Sequence, residues 1–233
     1  MIVSIHQPHY MPWLRYFSKI AHSDYFVLYD DVQYQKNGWI HRTRIRENND
    51  FLLTIPVHNN SHSLITQVIT VNDYWKKKHV KSIEMAYHNC PFFSLYYDSI
   101  AETIYGSGDN LAEINISIIK LFLKILEINV KIFRSSDLIS KSNKTKRLVN
   151  ICKELDCDTY LSGLYAINSY IDLEEFKKER IKLMWSDFKC YPYAQSIYND
   201  FIPDLSIVDL LMNHPITFCK EYIYNGELKE VCL

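Results

Sequence analysis

Residues 2–31 read IVSIHQPHYMPWLRYFSKIAHSDYFVLYDD. Ile2 to Ile5 is a short apolar run that reads as a buried strand, and Pro8 and Pro12 hinge the loop that follows. Leu14, Phe17, Ile20 and Ala21 then share one face at helical spacing, which predicts a helix from Leu14 to His22. Ser23-Asp24 ends it, and Tyr25 to Tyr29 is a second apolar strand closing in Asp30-Asp31. Strand, loop, helix and strand within about 30 residues is the size of a βαβ unit, so the sheet should be parallel and covered by helices.

The next stretch changes character. VQYQKNGWIHRTRI and FLLTIPVH carry β-type residues around a polar turn at Glu47–Asp50, which predicts a hairpin, and ITQVITV adds a candidate third strand. Asn72 is a plausible N-cap for a helix stopping at Pro91, a second helix covers Phe92 to Tyr105, and NLAEINISIIKLFLKILEI is a third. Gly106–Asp109 is the one glycine-rich break. The last third alternates: VKIF strand, KTKRLVNICKELD helix, TYLSG strand, EEFKKERI helix, KLMWSDF, then SIVDLLMNH as a closing helix. The expected fold is α/β: a Rossmann-like, mostly parallel sheet with helices on both faces and a β-hairpin insertion after the second strand. Residues 1–233 are expected to form one domain, with the only candidate internal break at 106–110.

Composition excludes several classes. The formal net charge of −1 argues against a duplex nucleic-acid binder, which carries a basic excess. The 5 glycines form neither GxGxxG nor GxxxxGK[ST], so the two commonest glycine-rich nucleotide fingerprints are missing. The 6 cysteines contain no CxxC pair, which fits reduced, buried thiols in a cytoplasmic protein without a bound metal. IVSI is too short for a leader, and no apolar run approaches the roughly 20 residues of a membrane span. The 18 tyrosines and 11 phenylalanines serve either cores or stacking platforms.

HQPHY is where chemistry concentrates. His6 lies just beyond a predicted parallel strand, where ligands of open α/β sheets bind, and its imidazole suits a general base. Gln7 and Tyr10 orient a polar ligand and offer donors to an oxyanion; Trp13 can stack on a base or sugar, or simply seat the loop. Lys19, on the helix face opposite Phe17 and Ile20, can meet a phosphate or be merely solvated. If the first two strands are adjacent, an acid from Asp30-Asp31 can orient His6, hold Mg²⁺ against a diphosphate, or form a turn. Lys36, Trp39, His41, Arg42 and Arg44 form a basic hairpin with an aromatic between. Arg42 and Arg44 share a face in a strand and suit a diphosphate, or else guard an edge against aggregation. Ser162 and Gly163 end a predicted strand and can line the cleft through backbone donors, and Tyr193 and Gln195 form an aromatic-polar site edge.

Residues 5–45, IHQPHYMPWLRYFSKIAHSDYFVLYDDVQYQKNGWIHRTRI, resemble the opening of the WbqC-like family of bacterial proteins, IHQPxYxPWLGYFxKIxxSDxFVxxDxVQYxKxxWxxRNRI. The resemblance continues through TIPV, KTKRLVNICKELDCDTYLSG, YPYAQ and SIVDLLMN, and covers most of the chain. Arg15 stands where the family often has Gly, Thr43 where it often has Asn, and His214 near an expected glycine. Asp31 is taken as the match to the family's fixed acid and so as the partner of His6, and Gln33 joins the ligand contacts.

The resemblance implies an accessory enzyme of O-antigen or other surface-glycan pathways, and of some carrier-protein pathways. The expectation is an acyl- or aminoacyltransferase acting on an amino group of a nucleotide-linked sugar. It would use His6 as base with Asp31 and Tyr10, and no permanently bound cofactor. The donor would be an acyl thioester of coenzyme A or of an acyl carrier protein. Two other readings stand beside it. The strand, His-containing loop and helix are faintly similar to HIGH-type nucleotidyltransferases using ATP and Mg²⁺, with Tyr10 read in place of the second histidine and LISKSNK beside KMSKS. The other is a non-catalytic carrier or partner-binding protein of the pathway.

Overall fold

The computed structural model describes residues 1–47, 49–58, 62–195 and 200–232. Its main sheet is built around β1 (Ile2–His6). β2 (Tyr25–Leu28) follows α1 (Leu14–Ala21) and pairs with β1 in parallel, with His6 opposite Leu28. β3 (Arg42–Glu47) and β4 (Asn49–Thr54) form a separate antiparallel hairpin in which Arg42 faces Thr54. Three helices come next, α2 (Tyr74–Tyr87), α3 (Phe93–Tyr105) and α4 (Leu111–Ile125), before β5 (Lys131–Arg134). The chain then runs α5 (Lys144–Glu154), β6 (Thr159–Ser162), α6 (Leu164–Ser169), α7 (Leu173–Lys178) and β7 (Lys182–Ser186). α8 (Ile207–Asn213), α9 (Ile216–Ile223) and the short β8 (Leu228–Glu230) complete it.

The strand order is β5-β2-β1-β6-β7-β8, parallel except for β8. β1, β2 and β5 step to one side of the sheet, whereas β6 and β7 step to the other. The order therefore reverses between β1 and β6, and the carboxyl ends of those strands flank the crevice where such sheets bind ligands. Alternation along the strands feeds two cores. Val3, Ile5 and Val27 pack with Leu148 and Ile151 of α5 and Phe176 of α7. Phe26 and Leu28 join Leu14, Phe17 and Ile20 of α1 and Ile114, Ile118 and Phe122 of α4 in the larger core. Helices thus cover both faces, as the alternation of elements implies.

Three expectations need correction. VQYQKNGWI is not strand, because Asn37 takes a left-handed φ of 68° and Gly38 N–H donates to Gln35 O at 3.1 Å, making a turn; extended structure starts at Arg42. ITQVITV is not a third strand, since Ile65–Gln67 is a 3₁₀ turn and only isolated bridges join Val57 to Thr70 and Ile69 to Asn110. Its backbone donors go to separate segments, Ile65 N–H to Val32 O, Thr70 N–H to Asp109 O and Val71 N–H to Pro56 O, so no ladder can extend. The hairpin turn is also tighter than Glu47–Asp50, with Glu47 already paired to Asn49; Asn48 lies outside the described residues. Residues around the 106–110 break are tied back to the segment before α2. Thr70 N–H donates to Asp109 O, and Asn110 Nδ2 donates to Thr66 O at 2.7 Å.

Candidate active site

A cavity of about 550 Å³ opens at the carboxyl ends of β1, β6 and β7. β1 contributes Ile5 and His6; the start of α1 contributes Trp13, Arg15 and Tyr16, and one turn further along comes Lys19. The hairpin side supplies Trp39, Thr43 and Arg44, and β6 with α6 and its flank supplies Tyr160, Ser162, Gly163, Tyr165 and Tyr170. Ser186, Asp204 and Ser206 close the wall.

The loop between β1 and α1 is stitched to the protein by its backbone. Asn115 Nδ2 donates to Pro8 O at 2.9 Å and to Ile40 O at 2.6 Å, Thr43 Oγ1 donates to Met11 O at 2.8 Å, and Tyr10 N–H donates to Trp39 O at 3.2 Å. Proline carbonyls in a turn-rich loop would otherwise be buried without donors. The result fixes His6 where the strand ends.

His6 is half-buried. Its Nδ1–H donates to Gln7 O at 3.1 Å, which leaves Nε2 as the acceptor nitrogen. Its ring lies 4.6 Å from the His9 ring and 4.8 Å from Tyr16, both edge-on. Burial, then the charges of Lys19 and His9, hold its pKa well below the usual imidazole value, against a small opposing pull from the Gln7 carbonyl. It is a neutral base at pH 7. Burial and Lys19 take His9 down to about 3. Lys19 is itself only 9% exposed, donates from Nζ to Ile5 O at 3.0 Å, and is brought by burial to about 7. α1 is wedged between core and cavity, so the face opposite Phe17 and Ile20 is cavity wall and not solvent.

Trp13 and Trp39 meet edge to face at 5.7 Å, and the guanidinium groups of Arg42 and Arg44 both lie over Trp39, at 5.5 and 6.0 Å. They share a face, as strand periodicity requires. Only Arg44 lines the cavity: its Nη2 donates to Pro203 O and Asp204 O, and it pairs with Asp50 at 3.2 Å. Arg42 is engaged with Asn37 O. Lys36 and Gln33 are exposed away from the cavity.

Several expected partners are elsewhere. The Asp31–His6 pair is not formed. Asp31 binds Arg147 at 2.6 Å, Lys141 at 3.1 Å and Ser135, and although burial works to raise its pKa, those donors hold it below the usual range. Laid against the family pattern, the fixed acid falls on Asp30, which is fully buried and accepts from Arg134 Nε at 2.7 Å, Ser135 and Ser136. Lys141 of LISKSNK thus serves this ion cluster and does not line the cavity. Tyr10 is buried with its hydroxyl on His79 Nδ1 at 2.8 Å, and burial drives its pKa well up. Gln7 enters the site through its carbonyl, which also accepts from Tyr16. Tyr193 and Gln195 are not a cleft edge: both are buried and donate to Asp209 Oδ2, at 2.8 and 2.9 Å, and Gln195 also accepts from Arg46. Counting from His6, the second histidine of an HxxH pattern is His9, and not Tyr10.

Lining residues missed from sequence include Arg15, Tyr16, Tyr160, Tyr165, Tyr170 and Asp204. Two had a signal. Arg15 and Tyr16 share the Lys19 side of α1, and Tyr160 precedes a strand end by two positions.

Over residues 7–220 the chain matches the model of the WbqC-like protein family. It is 32% identical over 215 residues, 91% of this chain and 93% of the relative, to the uncharacterized protein Rv1507c of Mycobacterium tuberculosis. No solved structure matches.

Proposed function

This chain belongs to the WbqC-like protein family, and from that premise we propose that it transfers an acyl or aminoacyl group to an amine of a nucleotide-linked sugar in the cytoplasmic stages of surface-glycan synthesis. The observation that carries the reading is His6: a neutral imidazole at the sheet's switch point, with Nδ1–H committed to Gln7 O and Nε2 left as the base.

In the reaction, the acceptor nitrogen attacks the carbonyl carbon of an acyl thioester held by coenzyme A or a carrier protein. Nε2 takes the proton that the nitrogen sheds, and the tetrahedral oxyanion collapses with cleavage of the carbon–sulfur bond. The departing thiolate receives the proton from Nε2, leaving an amide and a free thiol. Lys19 is close enough for its charge to be felt by His6, so in its protonated form it can stabilise the oxyanion. Trp13 and Trp39 offer faces to a base or sugar, and Arg44 and Arg15 offer guanidinium groups to a diphosphate.

A thermal-shift panel separates the readings: dTDP- and UDP-linked amino sugars, acyl-coenzyme A, and ATP with Mg²⁺. A ligand at about a hundred times its dissociation constant adds roughly 2.7 kcal/mol to the native state. Stabilisation by an amino-sugar nucleotide, and amide product lost in His6→Ala, are the expected results. No His6-dependent product with any donor refutes the mechanism.

One observation favours nucleotidyl transfer as a second reading. The HQPH histidines follow the first strand of a parallel 3-2-1-4-5 arrangement, and their rings are in contact. Stabilisation by ATP with Mg²⁺ alone would select it. Pathway support that survives His6→Ala would select the non-catalytic role.

A further inference from the structure

Buried cations in this fold are otherwise paired: Arg147 with Asp31, Arg46 with Asp200 and Lys76 with Asp73. Lys19 differs. It is as buried as Lys76, yet its one hydrogen bond goes to a neutral carbonyl, and no carboxylate pairs with it among the described residues. A lysine withdrawn from water without a counter-ion is held closer to its amine form. This one also lines an open cavity beside an imidazole with a free nitrogen.

We propose that Lys19 is a carbonyl-capturing amine, which forms a reversible imine with an aldehyde or ketone ligand that also carries a ring and a phosphate. The walls suit that class. Trp39, Tyr165 and Tyr170 are the aromatic surfaces at the more exposed part of the lining. Arg44 keeps a buried Nε without a partner, and Arg15 is exposed at 5.9 Å over the Phe188 ring.

The step balances without oxidant or reductant. The Nζ lone pair attacks the carbonyl carbon while the C–O π pair moves to oxygen. His6 Nε2 takes a proton from nitrogen and returns it to oxygen, giving a carbinolamine. The nitrogen pair then expels that oxygen, which leaves as water once protonated, and the iminium loses its remaining proton to give the imine. Burial that brings the amine to about 7 supports this, because about half of it is then unprotonated at pH 7. The inference rests on the cavity and not on the acyl-transfer reading.

The full chain would be treated with pyridoxal 5′-phosphate at pH 7, reduced with borohydride, and mapped by peptide mass spectrometry. Lys19 should carry the adduct roughly a thousandfold faster than an ordinary exposed lysine, given its larger unprotonated fraction. Pyridoxine 5′-phosphate, which lacks the aldehyde, should compete, and Lys19→Met should lose that adduct alone. Adducts confined to exposed lysines of the folded wild-type chain, with Lys19 reached only in urea, overturn the proposal. No acyl donor is present, so failure here leaves the transferase assay unaffected.

Discussion

Replacing Lys19 by Met should make the protein more stable, by an amount that depends on pH in a calculable way. In the unfolded chain this amine has its ordinary value of 10.5, and in the native state about 7. Between those values the unfolded state holds more protons, so stability rises with pH across that window and the cost of charging the buried amine is fully felt below it. At pH 7 the native state is disfavoured by about 4 kcal/mol relative to strongly alkaline solution, and raising the pH to 9 recovers about 2.3 kcal/mol. Met matches the length of the side chain and carries no charge, but it gives up the bond to Ile5 O, worth about 1 kcal/mol. The variant should therefore exceed wild type by about 3 kcal/mol at pH 7, and by under about 1 kcal/mol at pH 9. Urea titrations at both pH values provide the test, with a midpoint rise on the order of 1 M at pH 7. Buried Cys157 and Cys219, pushed up to about 11 and 12, lower stability as pH rises, but equally in both proteins, so the difference isolates Lys19. An advantage that is the same at pH 7 and 9, or absent at both, refutes the account of Lys19 as an uncompensated buried amine.

Three further outcomes follow from the same geometry. His6→Gln should lower kcat for acyl transfer by about 10²–10⁴ while leaving the melting temperature within a degree or two, since the ring makes one short-range hydrogen bond; steady-state kinetics with a thermal melt checks both. Arg44→Gln should weaken a nucleotide diphosphate by about tenfold or more in calorimetric titration, with no effect on an uncharged sugar, because only the phosphates need the guanidinium. Asp209→Asn should behave differently at the two ends of the acid range. Burial raises the Asp209 pKa, so wild type gains its full stability below the ordinary carboxylate value and loses it as pH rises through the raised one; the variant should gain on wild type between pH 4 and pH 7 in denaturant melts, and an unchanged difference would contradict that.

The sheet was legible because its strands are short apolar runs separated by helices with clear periodicity, and parallel order follows from that alternation. Strand order was not. Nothing in VKIF or TYLSG says on which side of the first strand it will lie, and that choice creates the crevice. The hairpin was readable from its residue types, but its start was masked by β-type residues in VQYQKNGWI, where Asn37 turns the chain. The site divided in the same way. His6, Trp13, Trp39, Arg44, Ser162 and Gly163 were accessible to strand-end and strand-face rules and line the cavity. Asp31, Tyr10, Tyr193 and Gln195 look like site chemistry in sequence, yet each hydrogen-bonds to a partner far along the chain. No local pattern encodes Arg147, His79 or Asp209 as that partner.

α1 shows why fold and ligand preference can vary separately here. Leu14, Phe17 and Ile20 are fully buried in the larger core, whereas Arg15, Tyr16 and Lys19 of the same helix line the cavity. A change on the first set alters packing that spans α1 and α4, where cavities cost kilocalories. A change at Arg15, the exposed member of the second set, alters the cavity wall and little else. Arg15 and Thr43, the two departures from the family's opening pattern within residues 5–45, both fall on that wall. Arg15 adds a cation and bulk where a glycine would leave space, and Thr43 supplies a hydroxyl that donates to Met11 O and anchors the loop. The physical expectation is a retained scaffold with a ligand whose anionic end reaches Arg15. Glycine at position 15 should therefore cost affinity for that end while costing stability only the roughly 1 kcal/mol of a helix glycine.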